Sequence, residues 1–215
     1  MEFYSKTSEI IKLCKGKKVL HLGCVGFADL PTEARIAQAK NSLHHTLSQC
    51  STVTGIDYSK DAIEFFQVHN VFDNVVFGDA ERLSDVNISD KFDVVVIGDL
   101  IEHLSNPGLM LEGVKRFCDS NSLIIVTTPN SFGVLAFVRY LIGKFKEGAE
   151  HVMCFNNQNI KTMLERNGYS VKAIDTCYQD FAQGYGLFFK VGVLVFRTFP
   201  SIGGTLFVKA KMGDK

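Results

Sequence analysis

The side chains best suited to chemistry in this sequence stand where short apolar runs end. Asp99, Glu102 and His103 follow the run VVVIG in the segment DLIEH. If residues 99–103 begin a helical turn, the three share one face. Imidazoles placed there can accept or return a proton during a reaction. His103 is the first candidate for such a base, and the alternative is that it only orients its loop. His151, in EGAEHVMCF, is the second candidate.

Three earlier run ends carry groups of a different kind. Gly23-Cys24-Val25-Gly26 follows KVLHL, and small residues at a strand-to-helix turn let the backbone approach a ligand and meet a carboxylate with helix-end N–H groups. The next run ends in Asp57, whose carboxylate can accept hydrogen bonds from both hydroxyls of a ribose. The third leads into Asp79-Ala80, where an acid can accept from an adenine amino group beside a backbone amide. Taken singly, two glycines are common turn punctuation and either acid serves equally well as a helix N-cap. Their occurrence at three successive strand ends favours one ligand site.

The elements that must position these groups follow from periodicity. Strands are predicted at 18–23, 52–57, 74–78, 92–98, 122–128, 170–175 and 205–211, alternating with amphipathic segments, the order that gives a mostly parallel sheet with helices on both faces. The fold class is therefore α/β and Rossmann-like, with seven strands. Thr32 is placed to cap a helix turning Ile36, Ala39, Leu43 and Leu47 inward, and Ser59 one that buries Ile63 and Phe66. Asn106-Pro107 opens a helix with Met110, Val114 and Phe117 at helical spacing, and a helix over 157–167 ends at Gly168. No linker or repeat divides the chain, so residues 1–215 are expected to form one domain, with 130–156 an insertion or lid over the strand ends.

In order, VLHLGCVG, VTGIDYS, VVFGDAERL and FDVVVIGDLIEHLSNPG resemble the motifs of class I S-adenosylmethionine-dependent methyltransferases over residues 17 to 175. The resemblance implies a sheet of seven strands with the last antiparallel. It places Gly23, Cys24 and Gly26 at the methionine part of S-adenosylmethionine, Asp57 and Tyr58 at the ribose, Asp79 and Ala80 at the adenine, and Asp99 and Leu100 beside them. Three departures stand out: His21 replaces the usual acid of the first motif, Val25 its middle glycine, and extra residues at 27–45 lengthen the path to Asp57. That extra segment is a candidate lid including His44 or His45, the alternative being a surface pair of histidines. The acid-x-x-Glu-His group, TTPN and the later histidine are similar to two metal-using groups, the ubiquinone-biosynthesis O-methyltransferases and the small-RNA 3′-terminal 2′-O-methyltransferases. Carried over, Asp99, Glu102, His103 and His151 become ligands of a divalent metal ion. EHL in this place also occurs in metal-free methyltransferases.

Composition sets limits on partners and place. With 23 basic and 23 acidic residues no net field draws the chain to nucleic acid, which is not expected as a partner. Six cysteines without a CxxC pair read as reduced thiols of a cytoplasmic protein. The apolar segments 132–145 and 186–199 are interrupted by Lys or Arg and too short to span a bilayer; core or acceptor pocket is preferred to peripheral membrane contact. The expected activity is methyl transfer to a hydroxyl of a small molecule or sugar. N-methylation of an amino sugar or amine, and a noncatalytic cofactor-binding subunit, are the alternatives.

Overall fold

The computed structural model describes residues 1–25, 30–144, 148, 150–178 and 187–213, with the backbone alone for 187–192. In chain order, β1 (Phe3–Ser5) and α1 (Lys6–Cys14) precede β2 (Lys18–Leu22). Next come α2 (Thr32–Lys40), α3 (Leu43–Ser48), β3 (Thr52–Asp57), α4 (Lys60–Val68) and β4 (Val75–Phe77). The chain continues through β5 (Val94–Gly98), α5 (Pro107–Val114), β6 (Leu123–Pro129) and α6 (Val134–Leu141). It ends with α7 (Asn157–Arg166), β7 (Tyr169–Tyr178), α8 (Leu187–Thr198) and β8 (Thr205–Met212).

The strands form one sheet in the order β1-β7-β8-β6-β5-β2-β3-β4. All pairings are parallel except those of β8 with β6 and β7, so the last strand is antiparallel. The sheet has eight strands where the sequence led us to expect seven. The addition is β1, three residues at the edge beside β7. Three residues carry no readable alternation; the strand is held by tertiary contacts instead, with the Glu2 N–H and the Tyr4 hydroxyl donating to the buried carboxylate of Asp175 at 2.9 and 2.8 Å.

Because side chains alternate across a strand, the apolar runs of the central strands divide between two faces. Val95, Ile97, Ile124 and Val126 pack with Met110, Leu111 and Val114 of α5 and Ile160 and Leu164 of α7. Val94, Val96 and Ile125 pack on the opposite face with Ile10 and Cys14 of α1 and Leu47 of α3. The predicted helix from Thr32 is two helices broken at Asn41-Ser42. Ser42 caps the second by accepting from the His45 N–H at 3.2 Å, while Pro31, not Thr32, precedes the first.

The extra residues before β3 bury a polar group rather than expose one. His44 is fully buried, against the expectation of a surface pair, and His21 is buried with it. The hydrogen-bond chain fixes every proton. The Val53 carbonyl can only accept, so the atom 3.0 Å from it is the Asn74 amide nitrogen, and Asn74 Oδ1 faces His44 Nε2 at 3.0 Å. His44 therefore carries its proton on Nε2, and its bare Nδ1 accepts from His21 Nδ1 at 3.3 Å. Gly55, opposite His21 in β3, makes the room: a Cβ there would stand 2.8 Å from His44 Cε1 and 2.5 Å from Cys24 Sγ.

The segments 132–145 and 186–199 are not core, as far as the described residues go. No residue of α6 is buried, and Leu194, Val195 and Phe199 of the α8 region are exposed. Leu135, Phe137, Val138 and Leu141 of α6 are exposed. Its feet are firmly tied: Asn130 bridges to Phe155, and its side-chain amide donates to the carbonyls of Ser201 and Gly203 at 3.2 and 2.8 Å.

Burial, then the neighbouring imidazole, holds His21 down to about 3, and burial lowers His44 as well. The unfolded chain takes up protons near pH 6.5 and the folded pair does not, so this stability is complete above that pH and declines as pH falls toward 3. Urea unfolding should show roughly 2–3 kcal/mol lost through this site between pH 7 and pH 4.5. The acid decline should be shallower in His21→Asn; identical slopes for the two proteins would remove the pair as its source.

Candidate cofactor and acceptor site

The chain runs outward through β2, β3 and β4, then returns to lay β5 against β2, so strand order reverses between these two. A crevice opens at such a reversal, at the carboxyl ends of the strands. It is a cavity of about 580 Å³ lined by Gly23 after β2, Asp57 and Tyr58 after β3, Phe77, Asp79 and Ala80 after β4, and Leu100 and His103 after β5.

Gly23 has φ +66°, and a Cβ there would stand 3.0 Å from the Leu100 side chain; only glycine turns the chain at this point. Asp57 is buried. Its two oxygens accept from the Val25 N–H at 2.8 Å and the Ser59 N–H at 3.0 Å, tying the turn after β2 to the start of α4. Burial pushes its carboxyl upward against the backbone donors that favour the ion. Each oxygen keeps a second lone pair for a diol. Asp79 is half exposed and begins a short 3-10 helix, accepting from the Glu81 N–H at 2.8 Å, so it is at once an N-cap and part of the cavity wall.

Not every expected residue lines the cavity. Cys24 turns its side chain into an apolar cluster with Val25, Ala39 and Ile63, leaving its backbone to face a ligand. Gly26 lies outside the described residues. Asp99 sits in the left-handed region at φ 48°. Its carboxylate accepts from Lys6 Nζ at 2.5 Å and from the Thr127 hydroxyl at 2.9 Å, which holds it away from the other expected ligands. Three residues that the sequence reading did not single out join the site: Lys6 through Asp99, and Phe77 and Glu150 in the cavity wall. Phe77, an exposed aromatic at a strand end beside Asp79, was the one a reader could have noticed.

Beyond Leu100 a 3-10 turn (Ile101–His103) carries Glu102 inward and His103 to the cavity. The Glu102 carbonyl accepts from the N–H groups of both Val152 and Met153, at 2.9 and 3.1 Å, and this brings His151 alongside. The two imidazole rings meet edge to face with centroids 4.8 Å apart. Ligand atoms of Glu102, His103 and His151 all lie within 4.8 Å of one another. Asp99 is not part of this group, so three of the four expected ligands are gathered. Glu102 is buried; Oε2 accepts from the Thr128 hydroxyl at 2.9 Å, whereas Oε1 has no hydrogen-bond partner among the described residues. Burial first, then the charge of Asp99, raises its carboxyl to about 7. One carboxylate and two imidazoles suit a zinc- or manganese-like cation with an open position for another oxygen, and a buried oxygen without a donor is what such an ion would satisfy. Contact at ~2.0–2.2 Å needs ligand atoms closer than they stand here, which rotation of the two half-buried histidines can supply.

Residues 13–168 match the family model of the methyltransferase domain, and the chain belongs to that family. Its fold is similar to that of a SAM dependent methyltransferase from Archaeoglobus fulgidus, with a TM-score of 0.60, 19% identity, and coverage of 96% of this chain and 91% of that one. Family, fold and crevice define a class I S-adenosylmethionine-dependent methyltransferase.

Among curated proteins the chain is similar to the mitochondrial ubiquinone biosynthesis O-methyltransferase of Candida albicans, 29% identical over 143 residues, which are 63% of this chain and 37% of that protein. It is also similar to the ubiquinone biosynthesis O-methyltransferase of Glaesserella parasuis serovar 5 (strain SH0165), 25% identical over 145 residues, 64% of this chain and 53% of that one. The match thus spans between about a third and about half of these relatives.

Asp57→Ala should cost about 2–4 kcal/mol of S-adenosylmethionine affinity by calorimetry. It should also lower thermal stability, because the Val25 and Ser59 N–H groups lose their acceptor. Unchanged affinity in the folded variant would take Asp57 out of the site. Asp79→Asn keeps the cap and changes one oxygen facing the cavity, so the melting temperature should hold while affinity falls about tenfold. If the variant loses stability and binds normally, Asp79 is a cap only.

Proposed function

We propose that this chain methylates a hydroxyl of a small molecule or sugar, drawing the methyl group from S-adenosylmethionine in the crevice and using a divalent cation held by Glu102, His103 and His151. The observation that carries the reading is the buried, half-satisfied Glu102 carboxylate facing two imidazoles at the edge of the cavity. The likeness to proteins named ubiquinone biosynthesis O-methyltransferases supports oxygen as the acceptor.

Transfer is an in-line displacement: the S–CH3 bond breaks as the O–CH3 bond forms, S-adenosylhomocysteine leaves, and the acceptor hydroxyl gives up its proton. The residues mainly align donor and acceptor. Gly23 lets the backbone approach the methionine part, Asp57 holds the ribose diol, and Asp79 and the Phe77 ring flank the adenine. His103 lines the same cavity; as ligands of the cation, it and His151 have no lone pair left for the proton, which passes to solvent, whereas without a cation His103 would be the base. When bound, the cation lowers the pKa of the acceptor hydroxyl and fixes its oxygen. Asp99 acts differently from the other three, bracing the turn after β5 through Lys6 and Thr127. One domain with residues 130–156 as a lid, acting in the cytoplasm, completes the proposal.

Two variants and a chelator test it. Glu102→Gln keeps volume and the Thr128 contact but loses the charge, and His151→Ala removes one imidazole. Each should cut turnover of a catechol or sugar acceptor by at least ~10–100-fold while changing S-adenosylmethionine affinity less than about twofold. Chelation should do the same and manganese or zinc should restore the rate. A chelated protein working at full rate would leave His103 as a simple base and end the metal reading.

A further inference from the structure

We propose that α6 and α8 dock this protein on the surface of an anionic lipid bilayer. Both helices leave the sheet at the end where the cavity opens. α6 follows the carboxyl end of β6, and α8 leads through Pro200–Ile202 into the start of β8, where Thr205 pairs with Pro129. Their feet meet at Gly133, where a Cβ would lie 3.0 Å from the Gly203 carbonyl. Phe196 packs on Phe3, but beyond that junction most of the apolar side chains face outward: Leu135 is 62% exposed, Phe137 51%, Leu141 66% and Leu194 66%. Large apolar side chains exposed in such number on neighbouring short helices mark an interaction surface.

Charge identifies the partner. Over 131–144 and 187–204 the charged residues are Arg139, Lys144, Lys190 and Arg197, with no acid. Arg139, Lys144 and Arg197 are exposed. The chain as a whole is neutral, so the excess of acids lies elsewhere and the molecule is polarised toward this face. A second copy fits poorly, because a two-fold interface sets the same patch against itself and would bury cations with no acid to meet them. Anionic headgroups over an acyl interior satisfy both features: apolar side chains enter the boundary while Arg and Lys reach the phosphates. Geometry limits the depth. Helices of 8 and 12 residues measure roughly 12 and 18 Å, well short of the ~30 Å hydrocarbon core, and no helix among the described residues is long and apolar enough to cross a membrane. They must lie in the interface, with the crevice opening toward it. The inference does not depend on which acceptor is methylated.

Vesicle sedimentation tests it with the full chain. Binding to vesicles of phosphatidylcholine with phosphatidylglycerol should exceed binding to phosphatidylcholine alone by at least about tenfold, and high salt should reduce the difference. Leu135→Glu with Leu141→Glu should abolish binding to both, and Arg139→Ala with Arg197→Ala should remove the preference for the anionic vesicles. Melting temperature and S-adenosylmethionine affinity should stay at wild-type values in each, which separates loss of docking from loss of fold or of the methyltransferase site. Failure of the unaltered protein to bind anionic vesicles would overturn the proposal. So would undiminished binding by the glutamate variant, or a solution dimer that this variant dissociates.

Discussion

The pairing of β2 with β5 is the constraint on which the site depends. These strands are far apart in sequence, and only their parallel alignment sets Gly23 beside Leu100, so that the two turns leaving the sheet diverge and open the crevice. Their apolar residues are buried on both faces, which fixes register strongly, since a one-residue slip would exchange every side chain between two differently packed layers. The walls of the cavity inherit their positions from that register. Asp57 then secures the first turn through the Val25 N–H, and Lys6 with Thr127 secures the second through Asp99.

What sequence could reveal was what periodicity and strand ends encode. The seven expected strands and the helices opened by Ser59 and Asn106-Pro107 follow from alternation and start signals, the antiparallel last strand from the family resemblance, and each is present. Gly23, Asp57, Asp79 and Ala80 were legible because each stands at a strand end, where a doubly wound sheet puts its ligand site, and Tyr58 and Leu100 only through the family resemblance; all six line the crevice. Position along the chain does not say which way a side chain turns. Cys24 goes to the core and Asp99 to Lys6, both for reasons that lie in other elements. The same limit hid Lys6 and Glu150, which reach the site only through tertiary folding.

The histidines show a second limit. A His-His pair on an amphipathic helix reads as solvated because imidazole is polar, yet His44 is the inner link of a closed chain from the Val53 carbonyl through Asn74 to His21. Burial of His44 is tolerable because both of its ring nitrogens have hydrogen-bond partners. The departure of the first motif at His21 and the lengthened segment before β3 are thus two halves of one packing solution, with Gly55 as the space between them.

The doubled acceptance by the Glu102 carbonyl has a consequence for timing. Glu150 lines the cofactor cavity while His151, its neighbour in the chain, faces Glu102 and His103, and the next two residues both hang from that single carbonyl oxygen. The crevice and the Glu102–His103–His151 cluster therefore share one strap. A displacement that frees Val152 and Met153 removes a wall from the first and an imidazole from the second in the same motion, so the two half-sites are made and unmade together, as the paired contacts of a double-pole switch are.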